Sequence, residues 1–502
     1  MPYEAVIGLE VHVQLLTASK MFCRCPNRFG AVPNSLICPV CLGYPGTLPV
    51  VNRHAVDLAT KLALALGCTV RESSVFSRKN YFYPDLPKGY QISQFDRPLA
   101  EDGALPLSLS DRSIRIERLH LEEDAGKLLH EAPGGAALPG QSLVDFNRCG
   151  VPLVEIVSRP DIASAAEAQD YLQTLHQLLL YTGTSDGNME EGSLRCDANV
   201  SVRPVGAEQL GTKAEVKNLN SFRNVARAIE HEIERQVALL GGGGRVVQET
   251  RSYDANAGVT RLLRSKEEAH DYRYFPEPDL PALVLAPERI AALRSELPEL
   301  PWERRARLAA QYGLPAEHAR VLTGSRALAD YFEAAATASG GSGNPRAIAN
   351  WVMGEALREL KERKLEAEAL PEALPAARLA ALVGLVDAGT LSSSAAKEVF
   401  IAVWGGIEEP AAAAERLGLV QVSDTAEIER WVAEVVAANP GPVAEYRAGK
   451  TKTLGFLVGQ AMKRSAGRAQ PALVQQLMRQ ALDSAPAETP AEAPADAPVS
   501  PS

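Results

Sequence analysis

The 502-residue sequence contains no uninterrupted apolar run of the roughly 20 residues that cross a bilayer, so no stretch reads as a membrane helix. After Met1-Pro2-Tyr3-Glu4 there is no basic segment followed by an apolar one, the pattern of a secretion signal. Cysteine is scarce: seven residues cannot form a disulfide scaffold for a chain of this length. These absences predict a cytoplasmic chain. A cationic excess is missing too, and a net charge of −10 excludes a generic nucleic-acid coat, leaving only a local basic surface. Three common motifs are absent. No G-x-G-x-x-G follows a strand and no H-E-x-x-H occurs. Gly449-Lys450-Thr451 looks like the end of a P-loop, but Ala444 occupies the earlier glycine position. Any ATP is therefore held by a less common fold.

What is present begins with Ile7 to Leu15. Ile7, Leu9, Val11, Val13 and Leu15 alternate with Gly8, Glu10, His12 and Gln14, which predicts a strand with one core face and one polar face. Glu10 and His12 point the same way, and a carboxylate beside an imidazole can ligate a divalent cation or move a proton. On this stretch alone, a solvated outer face is the blander alternative. Cys23-Arg24-Cys25 and Cys38-Pro39-Val40-Cys41 are two close thiol pairs separated by twelve residues rich in turn formers. That spacing matches a closed, structural four-thiolate zinc site.

Farther along, Arg78 to Gln91 is at once aromatic, basic and turn-rich: its cations suit phosphate and its rings suit a base. Glu122-Glu123-Asp124 gathers carboxylates at a strand end, as a hard cation requires, although such triplets are commonly solvated turns. Glu155 is one charge inside the apolar run Val151 to Val157, either an edge-strand residue in water or a paired or metal-bound carboxylate. Leu194 to Arg203 alternates again, placing Arg195 and Asp197 on a polar face, and Lys213, Glu215 and Lys217 repeat the device. Helices are expected over Asn52–Leu66, capped by Asn52, over Asp161–Tyr181, and from Ser221 to the run Gly241–Gly244.

Composition changes near residue 291, where alternation ends and Ala, Leu, Glu and Arg dominate. Helices are expected over 303–310, 326–336 and 346–360, with a Gly/Ser linker from Ser339 to Asn344. Tyr446 to Leu482 carries seven cations and no acid, a nucleic-acid footprint within an acidic chain. The Ala/Pro/Glu-rich end after Asp483 is expected to be disordered.

Several long motifs resemble the B-subunit family of the glutamyl-tRNA(Gln)/aspartyl-tRNA(Asn) amidotransferases. They are Ile7–His12, Lys79–Asp85, Leu121–Lys127, Glu191–Asp197, Lys217–Ser221, Asp271–Asp279 and Leu454–Lys463, spread over nearly the whole chain. The resemblance implies an α+β fold: a glutamine-synthetase-like cradle over residues 1–290 with a zinc knuckle at 22–42, an all-α helical domain over 291–408, a small α-helical tRNA-binding tail over 409–484, and a disordered end at 485–502. It also implies a heterotrimer with an amidase-type A subunit and a small C subunit. In such a complex ATP phosphorylates the side-chain carboxylate of Glu-tRNA(Gln) or Asp-tRNA(Asn), and ammonia released from glutamine by the A subunit displaces the phosphate. By the same resemblance, His12, Glu123 and Glu155 hold Mg2+, while Glu10, Lys79 and Asp197 are catalytic. Lys79, Arg195 and Lys217 surround ATP, and Cys23, Cys25, Cys38 and Cys41 hold Zn2+. The alternative from another class is a non-catalytic tRNA-binding scaffold.

Overall fold

The computed structural model describes residues 2–130, 138–265, 271–340, 343–421, 424–465 and 467–484. The end at 485–502, expected to be disordered, lies outside the described residues, as do 341 and 342 of the Gly/Ser linker. The chain is α+β, with a large sheet and a helical C-terminal region. It divides into two compact units, Met1–Gln311 with Thr323–Arg326, and Tyr312–Leu322 with Ala327–Ser502.

The first unit is built on nine strands: β1 (Tyr3–Gln14), β2 (Thr69–Val70), β3 (Ala100–Pro106), β4 (Ser113–Glu123), β5 (Pro152–Ser158), β6 (Leu194–Pro204), β7 (Ala214–Leu219), β8 (Glu249–Asp254) and β9 (Val259–Ser265). Their spatial order is β9-β8-β7-β6-β1-β5-β4-β3-β2, antiparallel throughout except between β7 and β8. The first strand of the chain is thus the middle of the sheet. Its apolar residues Ile7, Leu9, Val11 and Val13 are fully buried, and they join Val154, Ile156, Leu119, Leu121, Ala198 and Val200 of neighbouring strands in one core. Burial of each such side chain favours folding by about 1.5–3 kcal/mol.

Three helices cover that apolar face: α1 (Arg53–Ala65), α2 (Ala165–Thr182) and α3 (Phe222–Gly241). Each begins at the polar residue that its sequence offers. The Asn52 side chain accepts from His54 N and Ala55 N, Ser164 accepts from Glu167 N, and Ser221 accepts from Asn224 N. The second helix starts at Ala165 rather than at the expected Asp161, because the backbone of Ile162 is held in an antiparallel bridge with Ile7 and Ser164 takes the capping position. It ends at Gly183, whose φ of 63° closes the helix in the left-handed region.

In the second unit, the expected helix 346–360 is a longer run from Pro345 to Arg363, interrupted by one π-type turn at Val352–Ala356. A separate apolar cluster joins Ile428, Trp431 and Val435 to Leu454, Leu457, Val474, Leu477 and Met478. Among the described residues no single helix is long and apolar enough to cross a membrane.

Candidate active site

Because the helices cover one face of the sheet, the even-numbered residues of β1 emerge on the other. There His12 stands directly across from Glu155 of β5, and Glu155 directly across from His120 of β4, so the three residues form a row over three adjacent strands. The His12 Nε2 atom lies 3.3 Å from Glu155 Oε2 and 3.7 Å from Glu122 Oε1. Glu155 is in a central strand, not an edge strand, and is nearly buried, like Glu122 and His120. Ligand atoms of His12, Glu122 and Glu155 all lie within 4.8 Å of one another.

Two buried carboxylates this close require compensating positive charge. Burial alone would raise the Glu155 carboxyl, but the charge of His120 and hydrogen bonds from both imidazoles hold it well below its usual value. Glu122 is likewise held low against its burial, by His120 and Lys79 among others. The imidazoles respond in the opposite sense. Burial would lower His12, yet Glu155 and Glu122 raise it, and the same carboxylates push His120 up to about 9. A divalent cation in place of those protons would satisfy the same pair of carboxylates, so one imidazole and two carboxylates fit such an ion.

The other expected residues surround this cluster. Lys79 comes from the short strand Ser77–Asn80, which pairs with Tyr90–Ser93. Its ammonium faces the Tyr272 ring at 5.1 Å and is raised by Glu122 and Glu155 against its own burial. Arg195 lies across from His12 and pairs with Asp124 at 2.9 Å, and Gln14 donates to the same carboxylate at 2.7 Å. Glu10 lies across from Asp197 and accepts from Asn199 at 2.9 Å. Lys217 bridges Asp197 at 2.5 Å and Glu215 at 2.9 Å. Beside Lys217 a cavity of about 570 Å³ is lined by Tyr81, Tyr83, Asp85, Leu263, Arg264 and Tyr272.

Glu123 is not brought to His12 and Glu155; Glu122 occupies that place. Along β4, Leu119 and Leu121 face the core, and Glu123 continues their side, whereas His120 and Glu122 share the polar side. The Glu123 carboxylate instead accepts from Ile92 N at 3.0 Å and pairs with Lys88. Sequence reasoning gave no role to His120; it read Asp124 only as part of the acidic triplet and Lys88 only as one of the cations between Arg78 and Gln91, and it did not foresee their pairing with Arg195 and Glu123. The strand alternation carried the signal for His120, since it shares a face with Glu122 two residues on.

The four expected thiols converge as well: Cys23, Cys25, Cys38 and Cys41 have sulfur atoms within 4.8 Å of one another. Sulfurs that share a tetrahedral ion at about 2.3 Å sit roughly 3.8 Å apart, so this donor set fits zinc. Lys20, fully buried, points its ammonium at Cys41 Sγ from 3.7 Å and at the Phe146 carbonyl from 3.4 Å.

Comparison with known proteins adds lineage to this geometry. A family model described as the GatB/GatE catalytic domain matches residues 5–291, and one described as the GatB domain matches residues 330–482. The chain is 54% identical over 481 residues to the B subunit of the aspartyl/glutamyl-tRNA(Asn/Gln) amidotransferase of Geotalea daltonii, covering 95% of this chain and 99% of that one. The proteins of the same description from Myxococcus xanthus and Thermosynechococcus vestitus are each 53% identical, over 95% of this chain and 98% and 96% of theirs.

Proposed function

The chain belongs to the GatB/GatE family, and from that membership we propose that it phosphorylates the side-chain carboxylate of Glu-tRNA(Gln), Asp-tRNA(Asn) or both with ATP and converts it to the amide. It is a subunit of a tRNA-dependent amidotransferase, a glutamine-hydrolysing ligase, and works with partner subunits. We assign those partners as an amidase-type A subunit that releases ammonia from glutamine and a small C subunit, assembled in the cytoplasm. The sheet-bearing unit is read as a glutamine-synthetase-like cradle with a zinc knuckle, and the region after residue 290 as a helical domain followed by a tRNA-binding tail over 409–484.

One observation carries this reading: the set His12, Glu122 and Glu155, its two carboxylates buried, shares a sheet face with Arg195 and Lys217, and Lys79 of a separate short strand feels the charge of the same two carboxylates. A carboxylate is a poor acyl electrophile until one of its oxygens becomes a leaving group. Transfer of the γ-phosphoryl group forms a carboxylate oxygen–phosphorus bond as the bond to the bridging oxygen of ADP breaks. Ammonia then adds to the acyl carbon, phosphate leaves, and the amide nitrogen gives up a proton. Phosphoryl transfer depends on positioning and on compensation of charge more than on a covalent nucleophile. His12, Glu122 and Glu155 would hold Mg2+, which when bound neutralises charge on the phosphate oxygens.

The protein's own groups do the rest. Lys79, a half-buried cation beside the carboxylate cluster, is placed to offset charge on the transferring phosphoryl group. Asp124, which also accepts from Gln14, holds Arg195 toward the same face, and Asp197 and Glu215 hold Lys217. Glu10 and Asp197, neighbours across β1 and β6, supply carboxylates beside the reacting groups. The cavity of tyrosines next to Lys217 offers stacking surfaces for an adenine. Retention of all these ionic groups argues against a scaffold without chemistry.

The test is the complex reconstituted with its partner subunits and given γ-labelled ATP with Glu-tRNA(Gln) and, separately, Asp-tRNA(Asn). Label should pass to the aminoacyl-tRNA and be released on adding free ammonia. Tight tRNA binding without any phosphoryl transfer to either substrate would establish the scaffold instead.

A further inference from the structure

The turn Asp271–Tyr274, beside Lys79, has a backbone that its sequence does not suit. On the reading that the aminoacyl group is brought to Lys79 and the carboxylate cluster for phosphorylation, we propose that Arg273 binds a backbone phosphate of the single-stranded 3′ end of the aminoacyl-tRNA.

Arg273 has a φ of 42°, in the left-handed region that L side chains avoid and glycine enters freely. The other non-glycine residues with positive φ among the described residues have ordinary reasons. Asn34, Asp102 and Asn218 are of the types that tolerate it, and Lys364 closes a helix. Arg273 belongs to neither group. Its turn is held in this form from several sides. Asp271 Oδ1 accepts from Arg273 N at 3.1 Å. Asn80, next to Lys79 in the chain, donates from its backbone N to Tyr272 O at 2.9 Å. Its Nδ2 donates to Tyr272 O at 3.2 Å and to Arg273 O at 2.9 Å. On one flank the Tyr272 ring faces Lys79, and on the other the Tyr274 ring stacks on Phe95 at 4.2 Å. A strained conformation fixed by this many contacts points to use of the side chain it presents.

Within the protein that side chain achieves little. It is 82% exposed, and its one ion pair among the described residues, with the equally exposed Asp271, is at 4.0 Å. Glycine would relieve the backbone with almost no loss of internal contact, so the guanidinium is explained by something outside the chain. Its planar fork of donors fits an anion with paired oxygens, such as phosphate. Two such anions come to this face on the reading above, the triphosphate of ATP and the phosphodiester backbone of the RNA. The triphosphate needs a cation at the carboxylate cluster, and Lys79 is there. A cation as exposed as Arg273, between the half-buried rings of Tyr272 and Tyr274, suits instead a strand that runs from the site into solvent. Phe95, 56% exposed, adds an aromatic face for an unpaired base, and a cation with a ring is how single strands are held.

Two variants test the assignment. Arg273→Gly suits the backbone and so keeps the fold, and Arg273→Lys keeps the charge. Binding of Glu-tRNA(Gln) and Asp-tRNA(Asn) to the assembled complex is measured against salt, with the KM for ATP alongside. Arg273→Gly should weaken tRNA binding roughly tenfold, lower the slope of log affinity against log salt by about 0.7, and leave the KM for ATP at its wild-type value. Arg273→Lys should keep the slope and recover part of the affinity. Wild-type affinity and slope in Arg273→Gly overturn the proposal. A raised KM for ATP with tRNA binding intact also overturns it, and gives the guanidinium to the triphosphate. Failure of the underlying reading is distinct: it is a wild-type complex that binds tRNA without phosphoryl transfer, whatever the affinity of the Arg273 variants.

Discussion

Glu122 and Glu123 are adjacent in the chain, yet their carboxylates lie on opposite faces of one strand. Glu122 Oε1 is 3.7 Å from His12 Nε2, while Glu123 Oε1 accepts from Ile92 N at 3.0 Å on the core side. The two glutamates should therefore separate by function. Glu122→Gln keeps the shape and removes a charge from the cluster. It is expected to weaken cation binding and phosphoryl transfer by at least roughly 10–100-fold. Glu123→Gln should leave cation affinity unchanged, because its partners are Lys88 and a backbone amide. Titration of both variants with Mn2+, beside transfer from γ-labelled ATP, decides the matter; a loss of cation binding confined to Glu123→Gln would reverse the assignment.

Lys20 and the thiol cluster make a second prediction. The ammonium is fully buried, and among the described residues no carboxylate lies within ion-pair distance; Cys41 Sγ, at 3.7 Å, is its anionic neighbour when deprotonated. Four thiolates around Zn2+ carry net negative charge, which a buried cation offsets. One zinc per chain is expected by elemental analysis. Lys20→Met should lower zinc affinity by roughly 10–100-fold, read as faster loss to a chelator, with ATP chemistry affected only after the metal has gone. Zinc-free protein with four freely titratable thiols would dismiss the site.

Much of this site is legible in the sequence because strands declare their faces by alternation. The odd positions of Ile7 to Leu15 mark the core, the even positions mark Glu10 and His12, and Leu194 to Arg203 marks Arg195 and Asp197 in the same way. The same rule, carried two residues further along β4, separates Glu122 from Glu123. Taken as a unit at a strand end, the acidic triplet points to its middle residue, although Leu119 and Leu121 assign that parity to the core. What alternation cannot supply is strand order. That His12, Glu155 and His120 form a row depends on β1 lying beside β5 and β5 beside β4, which are long-range pairings with no local signature. The thiol cluster is easier, since paired spacing is itself the signal.

Away from the site, Glu232 of α3 is buried and bonded to Arg235 at 2.7 and 2.9 Å and to Gln236 at 2.7 Å. Burial alone would raise its carboxyl, but these bonds and the charges of Arg235 and Arg251 hold it below its ordinary value. A carboxyl lowered by folding contributes stability at pH above its unfolded value, and that contribution is lost as pH falls through the folded value. Glu232→Gln should cost about 1–2 kcal/mol at neutral pH, since it removes one charged partner from the half-buried Arg235 and Arg251, which keep Glu249. It should also flatten the acid limb of stability. Urea unfolding from neutral pH down into the acid range measures both effects, and an unchanged acid limb would show that Glu232 is not part of that titration.

The acid-free tail yields the last prediction. Cutting the chain after Gly441 would test tRNA binding poorly, because Leu454, Leu457, Val474 and Met478 pack on Ile428 and Trp431 in one cluster. Removing them would expose the remaining helix. Not every tail cation is free to meet phosphate: Arg464 pairs with Glu434 at 2.8 Å, and Arg447 donates to the Leu482 carbonyl at 3.0 Å. Lys452, Lys463 and Arg479 are exposed and make no ion pair within the described residues. If this surface holds the tRNA backbone, each of these cations displaces counterions on binding. The triple variant Lys452→Glu, Lys463→Glu, Arg479→Glu should therefore stay folded, bind tRNA more weakly, and lower the slope of log affinity against log salt by about one for each phosphate it no longer neutralises. Glutamine hydrolysis by the assembled complex should persist, since that step is assigned to the partner subunit. A folded triple variant with the wild-type salt slope would move the tRNA-binding surface elsewhere.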